Sequence, residues 1–364
     1  MKLRLVTIGL LIAIVGCGSK SANSPLLSSL PRSYNGTASV GDFLTITLDP
    51  AALTLTYKNL SNGDGATIPY TVNSDGTYKL DDPTGNLLAA YEVPEFALLV
   101  QAAKTGPKHN ALALVTAVNS SKISLNTWAS HKFNYMQFRT ASGGLEVGSV
   151  SVDTQGNINV SSYWPYGALG PDPPFHQGTF PASGIQSDPS GTFLISSDNG
   201  SQDYIFGTTS GVFAVDTPNG AILGLKKDVS KDFDPAWAGT YEAIYYQKKD
   251  ANTGMNNVET GTASLGNATM IVGTKGNITV NDPQGKTLLQ ATLTPIADSS
   301  YLYGPGKLQD PCHGLFTFRV LTADSQQEVF VSFMERSILF SSFHASLPWG
   351  SGNSYDYLYG VGIK

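Results

Sequence analysis

Leu44-Thr45-Ile46-Thr47-Leu48, followed by Leu53-Thr54-Leu55-Thr56-Tyr57, decides the fold class of this chain. Apolar residues occupy every second position and threonines stand between them. Successive side chains of a strand point to opposite faces, so this period buries one face and leaves the other in water. Ile278 and Val280 alternate with Asn277 and Thr279 in the same way, and Val329, Val331 and Phe333 form another such face. Between the alternating runs stand Asn62-Gly63, Asp75-Gly76, Gln155-Gly156, Asn199-Gly200, Asn219-Gly220 and Lys275-Gly276, the residue pairs that tight hairpin turns favour. The pattern predicts an all-β protein of two or three antiparallel barrel or sandwich units. One segment reads two ways. Phe96, Leu99, Val100 and Ala103 share a helical face, whereas Ala97–Ala103 and Asn110–Val118 flank Gly106-Pro107 as two strands would. The Gly-Pro turn favours the hairpin.

The chain also repeats. Gly76-Thr-Tyr-Lys-Leu-Asp-Asp82, continuing through Pro83, Gly85 and Leu88, matches Gly276-Asn-Ile-Thr-Val-Asn-Asp282 in outline, with Pro283, Gly285 and Leu288 each 200 positions on. Upstream, Tyr34-Asn-Gly36-Thr37 echoes Trp237-Ala-Gly239-Thr240. Each matched piece is a strand, an Asp-Pro-x-Gly turn and a second strand, with proline fixing one corner and glycine free to take the other. Self-similarity at so long a period points to internal duplication of whole units. A third strand-and-turn piece at Gly156-Asn-Ile-Asn-Val160 is short enough to be an ordinary β-turn. The polar run 228–235, ending in Pro235 just before the Trp237 restart, divides an N-terminal β domain (33–228) from a C-terminal barrel-like unit (236–364). The larger N-terminal part has room for two units split near 132.

With 41% apolar and 14% charged residues the chain can fill a core and is no disordered polymer. At 364 residues it is long enough to do so without disulfides. Its first residues carry an address. Lys2 and Arg4 precede an apolar run, Leu5–Val15, too short to span a bilayer, which needs roughly 20 residues. The run ends in Ile14-Val15-Gly16-Cys17. This tetrapeptide resembles the lipobox of bacterial lipoproteins. The resemblance implies a signal peptide over 1–16, diacylglyceryl on the Cys17 sulfur and acylation of the new amino terminus. Residues 17–31, rich in serine with Pro25 and Pro31, then form a tether of about 45 Å when extended, at about 3.3 Å per residue. Loss of residues 1–16 takes Lys2 and Arg4 and no acid, so 20 basic residues face 28 acidic ones, a charge of −8. That balance argues against nucleic acid and against a polybasic grip on anionic lipid, and leaves the acyl chains to hold the membrane. Gly18 and Ser19 follow the cysteine with no aspartate, which by resemblance to Gram-negative sorting favours the outer membrane.

Catalytic signatures are thin. His109, His131, His176, His313 and His344 show no metal-ligand spacing, and Cys312-His313 are adjacent, so on a strand they point apart. No metal or cofactor is expected. Cys312 has no intramolecular partner once Cys17 is lipidated. Gly207-Thr-Thr-Ser210-Gly211 is not a nucleophile elbow, and Gly304-Pro-Gly306-Lys307 places proline where a phosphate loop needs N–H donors. Asp250-Ala-Asn252-Thr-Gly254-Met-Asn256 alternates oxygen side chains as a calcium loop does, but lacks the late glutamate and reads as a hairpin loop.

The aromatic loops carry more. Tyr163-Trp164-Pro165-Tyr166 continues through Pro171–His176, and Trp349 precedes Tyr355, Tyr357 and Tyr359. Flat rings on loops can stack on sugars or line an apolar pocket, which makes Tyr163, Trp164, Tyr166 and Trp349 the candidate ligand-binding residues. The same residues could instead plug a barrel or a joint between units, and the tyrosine row has strand periodicity. Trp237-Ala-Gly239-Thr240-Tyr241 resembles the first strand of calycin-type barrels. That resemblance implies an up-and-down barrel with an internal cavity, closed at one end by a structural Trp237. The expectation is a lipid-anchored protein of the bacterial cell envelope with a non-enzymatic binding or structural role, meeting a small molecule, a glycan or another envelope protein. A hydrolase acting on envelope or environmental polymer is the competing class, and would need two titratable groups converging beside an aromatic groove.

Overall fold

The computed structural model describes residues 29–364 except 75, 94–95, 103–112, 120–127, 129–130, 140–143, 164–174, 188–192, 197–201, 210, 218–219, 228–229, 252–260, 300–301, 303, 305–307, 309–311 and 347–354. The expected all-β architecture is present as three antiparallel barrel units. In the first, β1 (Arg32–Ala38), β2 (Phe43–Asp49), β3 (Thr54–Asn59), β4 (Gly65–Val72), β5 (Tyr78–Leu80), β6 (Leu87–Val93), β7 (Ala97–Ala102) and β8 (Ala113–Val118) pair in chain order, and β8 returns to β1. Closure leaves this sheet without an edge. Ala97–Ala102 and Ala113–Val118 are thus paired strands, not a helix.

The second unit runs through β9 (Lys132–Arg139), β10 (Gly144–Val152), β11 (Ile158–Tyr163), β12 (Phe175–Phe180), β13 (Ile185–Ser187), β14 (Phe193–Ser196), β15 (Gln202–Gly207), β16 (Val212–Thr217) and β17 (Gly220–Lys226). The third comprises β18 (Gly239–Ala251), β19 (Thr262–Val272), β20 (Asn277–Asn281), β21 (Thr287–Thr292), β22 (Thr294–Pro295), β23 (Leu315–Leu321), β24 (Ser325–Met334), β25 (Ser337–Ser346) and β26 (Tyr355–Ile363). Each is a meander whose last strand pairs with its first. The second sheet ends at β12 and β13, and the third at β21 and β22.

The second and third units share this strand order, and the third strand of each, β11 and β20, follows a turn with the same hydrogen bonds. Gly156 N–H donates to Asp153 O at 3.0 Å, and Gly276 N–H to Gly273 O at 3.0 Å. Both glycines hold φ near +80°, a conformation in which a side chain is strained. The match across 200 positions has that turn as well, Gly76 N–H donating to Asn73 O at 3.0 Å with φ +83°, but at another rank in its meander. Its hairpins are β5–β6 in the first barrel and β20–β21 in the third, the fifth and sixth strands in one meander and the third and fourth in the other. What they share is the turn: Asp82 accepts from the N–H groups of Thr84, Asn86 and Leu87, and Asp282 from those of Gln284 and Lys286.

Among the described residues, buried apolar side chains line each interior. Tyr34, Ile46, Leu55 and Ile68 pack inside the first barrel, Phe133, Val150, Ile158 and Phe213 inside the second, and Tyr241, Met270, Val331 and Phe340 inside the third. Trp237 is buried in the third, stacked on Phe333 at 5.2 Å and edge-on to Phe316, with Phe233 from the preceding polar run against it. Trp128, just ahead of β9, takes the same position in the second barrel against Phe133 and Phe213. Among the described residues, the interior of the third barrel around Trp237 is lined by buried aromatic side chains.

The outer faces form a fourth cluster. Phe43 and Leu99 from the first barrel, Met136 and Phe206 from the second, and Phe330 and Tyr359 from the third belong to one continuous buried group. β1 lies against β16 and β17, β8 against β18, and β17 against β24, so every barrel touches both others. Strands at these joints are buried on both faces and lose their alternation: all six residues of β8 are buried.

A buried ion pair lies inside the first barrel. Glu92 accepts from Arg32 Nε at 2.6 Å, Arg32 Nη2 at 2.7 Å, Tyr34 Oη at 2.5 Å and Tyr78 Oη at 2.7 Å. Burial, reinforced by the carboxylate, pushes both phenols upward, so they remain donors. Glu92→Ala strands a buried guanidinium and should lower stability by about 3–5 kcal/mol, read as a fall in the urea midpoint. An unchanged midpoint would show that the network contributes nothing.

Candidate functional site between the barrels

One space that can take a ligand lies between units. A groove of about 190 Å³ runs between the first and third barrels, with Thr77, Ala89, Ala90 and Tyr91 on one wall and Glu242, Ile244, Asn267 and Thr269 on the other. Strand register assembles the second wall: Glu242 pairs with Thr269 and Ile244 with Asn267 across β18 and β19, side by side on the outer face. Pro283, from the Asp-Pro-x-Gly turn after β20, also lines the groove. The volume is below the roughly 300–1,000 Å³ of drug-sized pockets, so it suits one small molecule or one unit of a polymer. A half-buried tyrosine ring, an amide, two hydroxyls and a carboxylate give it one flat apolar surface with donors and acceptors around it.

The strongly perturbed carboxyls lie elsewhere, in joints. Glu328 on β24 is fully buried and receives Tyr163 Oη at 3.1 and 3.0 Å on its two oxygens. Burial pushes it up to about 7, with Arg319 at 3.3 Å pulling the other way. Asp216 on β16 accepts from Thr37 Oγ1 of the first barrel at 2.8 Å, and burial raises it well above the usual carboxylate range. Neither faces the groove. Among the described residues no group of three or more His, Cys, Asp or Glu is placed to hold a metal ion.

Of the residues singled out in the sequence, Tyr163 is fully buried at the joint between the second and third barrels, stacked on Phe175 at 5.2 Å and edge-on to Phe330. It anchors the start of the 164–174 segment and offers no face to solvent. Cys17, Trp164, Tyr166 and Trp349 lie outside the described residues. Tyr355, Tyr357 and Tyr359 are all buried on the outer face of the third barrel, in the shared core. The groove residues carried no sequence signal of their own. Tyr91, Asn267 and Thr269 come together only through barrel docking, although the two repeated hairpins that bound the groove were visible as repeats.

No protein-family model matches the chain, and no curated protein matches it either. Among solved structures, a double mutant of the vaccine antigen transferrin binding protein B from Haemophilus parasuis is similar over 92% of this chain and 76% of its own, at 7% identity and a TM-score of 0.27. A single mutant of the same protein covers 88% and 66%, at 8% identity and a TM-score of 0.23. A DUF3598-family protein of unknown function from Nostoc punctiforme covers 67% and 100%, at 8% identity and a TM-score of 0.18. Likeness of this size carries no functional information across.

Cys312 sits in the shared core, fully buried, and desolvation raises its thiol. A thiolate is the reactive form, so this thiol is protected twice. In the native protein Cys312 should resist an aromatic disulfide reagent, and in denaturant react with one equivalent. Rapid reaction in the native state would place it at a mobile joint.

Proposed function

We propose that this chain is a lipid-anchored protein of the bacterial cell envelope that binds a small polar ligand, a glycan unit or an envelope partner, and that it catalyses no reaction. The lipobox-like Ile14-Val15-Gly16-Cys17 supports the anchor, the net charge of −8 after processing leaves acyl chains as the membrane grip, and Gly18-Ser19 supports the outer membrane. The observation that carries the binding reading is the division of space: three barrels joined by one core, with a groove of about 190 Å³ at the seam of two of them. Tyr91 supplies a stacking surface there, and Asn267, Thr77 and Thr269 supply hydrogen bonds suited to a sugar hydroxyl. The sequence offers Trp164, Tyr166 and Trp349 as candidates for a second surface of the same chemistry. Glu328 and Asp216, the carboxyls that burial perturbs most, are locked into joints by a phenol and a hydroxyl, away from any substrate.

Two measurements test this reading. In cell fractionation, Cys17→Ser should move the protein out of the membrane fraction; retention there removes the lipid assignment. In a glycan and lipid screen of the soluble body from residue 31 onward, Tyr91→Ala with Asn267→Ala should weaken small-saccharide binding by about tenfold or more, since each 1.4 kcal/mol is tenfold. Trp164→Ala reports on the loop separately. Binding that is unchanged in both variants would dismiss both surfaces.

A further inference from the structure

The second barrel is joined to each of its neighbours across a buried carboxyl. At the joint with the first, Asp216 is 4% exposed, and Thr37 on β1 donates to it at 2.8 Å. The charged groups facing it are acidic: Asp42, itself fully buried in the turn after β1, and Asp203 on β15. Beside them Phe43 of the first barrel packs between Tyr204 and Phe206 of the second. At the joint with the third, Glu328 is met by Tyr163 from β11, by Gln326 from its own strand and by Arg319 from β23. Phe330 and Phe343 of the same shared core complete its surroundings: Phe343 is its register partner on β25. Each barrel's ladder and interior are complete without either carboxyl, whereas the joints are not.

We propose that Asp216 and Glu328 are protonation switches on barrel docking: neutral, they hold the second barrel between the first and the third, and ionised, they loosen both joints and the strands that line them. The physical reason is the cost of charge in an apolar seam. A carboxylic acid hydrogen-bonded to one hydroxyl is tolerated there, and a carboxylate is not unless a cation meets it. At Asp216 the nearby charges are of like sign. At Glu328 the one cation, Arg319, is 27% exposed and offsets only part of the desolvation.

The sign follows from linkage. A carboxyl raised in the docked state contributes its stabilisation in full below its free value, and that contribution is lost as the pH rises through the docked value. For Glu328 the window runs from 4.5 to about 7, and for Asp216 it opens at 3.8 and extends upward. Acid therefore closes the assembly and mild alkali opens it, the reverse of the usual acid unfolding in which paired carboxylates are lost.

The test is hydrogen exchange by mass spectrometry on the full chain at pH 5 and pH 8, corrected for intrinsic amide rates, together with small-angle scattering. Expected is exchange about tenfold faster or more at pH 8 in β1, β11, β16 and β24, with a larger radius of gyration. Strands remote from the joints, such as β3 and β20, should stay protected. Asp216→Asn with Glu328→Gln should abolish the difference. Tyr163→Phe, which removes a donor from the carboxylate, should widen the difference at the joint of the second and third barrels. Equal joint protection at both pH values in the wild-type protein overturns the proposal without need of any variant. So does a pH response that survives in the double substitution.

Discussion

Everything in this molecule depends on the burial of barrel outer walls against one another. A closed or nearly closed barrel satisfies its own backbone and fills its own interior, so it has no intrinsic need of a neighbour. These three nevertheless carry apolar side chains on the outside: Phe43 and Leu99, Met136 and Phe206, Phe330 and Tyr359 meet in a core that belongs to no single unit. Removing apolar surface from water is the force that joins them, and it acts without direction. Polar groups at the seams, Thr37 with Asp216 and Tyr163 with Glu328, then select one docking geometry, because each hydrogen bond forms in a single register.

How much of this was legible in the sequence depends on which face a strand buries. β2 and β3 face water on one side, and their alternation of leucine, isoleucine and threonine could be read directly. β8 is buried on both faces, and its near-continuous apolar run gave class but no orientation, whereas in β24 the inward face of Val329, Val331 and Phe333 could be read although the opposite face is also buried. Tyr163 shows the same loss. As a string, Tyr163-Trp164-Pro165-Tyr166 is an aromatic loop, and the tyrosine is in fact the last residue of β11, turned toward a glutamate 165 positions away. Nothing local distinguishes a ring that meets ligand from one that meets another barrel. Trp237 was legible because a Gly-Thr-aromatic strand start follows it, whereas Trp128 performs the same role ahead of β9 without that signature.

The repeat shows where local and global likeness separate. Asp-Pro-x-Gly recurs at 82–85 and 282–285 because the turn needs an acceptor, a fixed corner and a positive φ, and Gly85 and Gly285 both supply the last. The same chemistry serves hairpins of different rank in their meanders. Likeness of strand order, the better mark of related units, links the second and third barrels, whose shared sequence is limited to a few residues around Gly156 and Gly276. Topology is kept by pairing order and filled interiors, which many sequences satisfy; a turn is kept by the few residues that can make it.

The Arg32–Glu92 pair ties this architecture to the proposed anchor. Arg32 is the first residue of β1, so the chain enters the first barrel at a point fixed by a guanidinium bonded twice to a carboxylate inside that barrel. A lipid anchor at Cys17, as proposed, would pull on one end of one barrel and reach the other two through the seams. Under that proposal, a change in docking would alter how far the second and third barrels stand from the bilayer. In such an arrangement the groove between the first and third barrels lies on the path between anchor and body. A ligand seated against Tyr91 and Asn267 at once would stiffen that path, because it binds both walls and gains affinity only when they are docked.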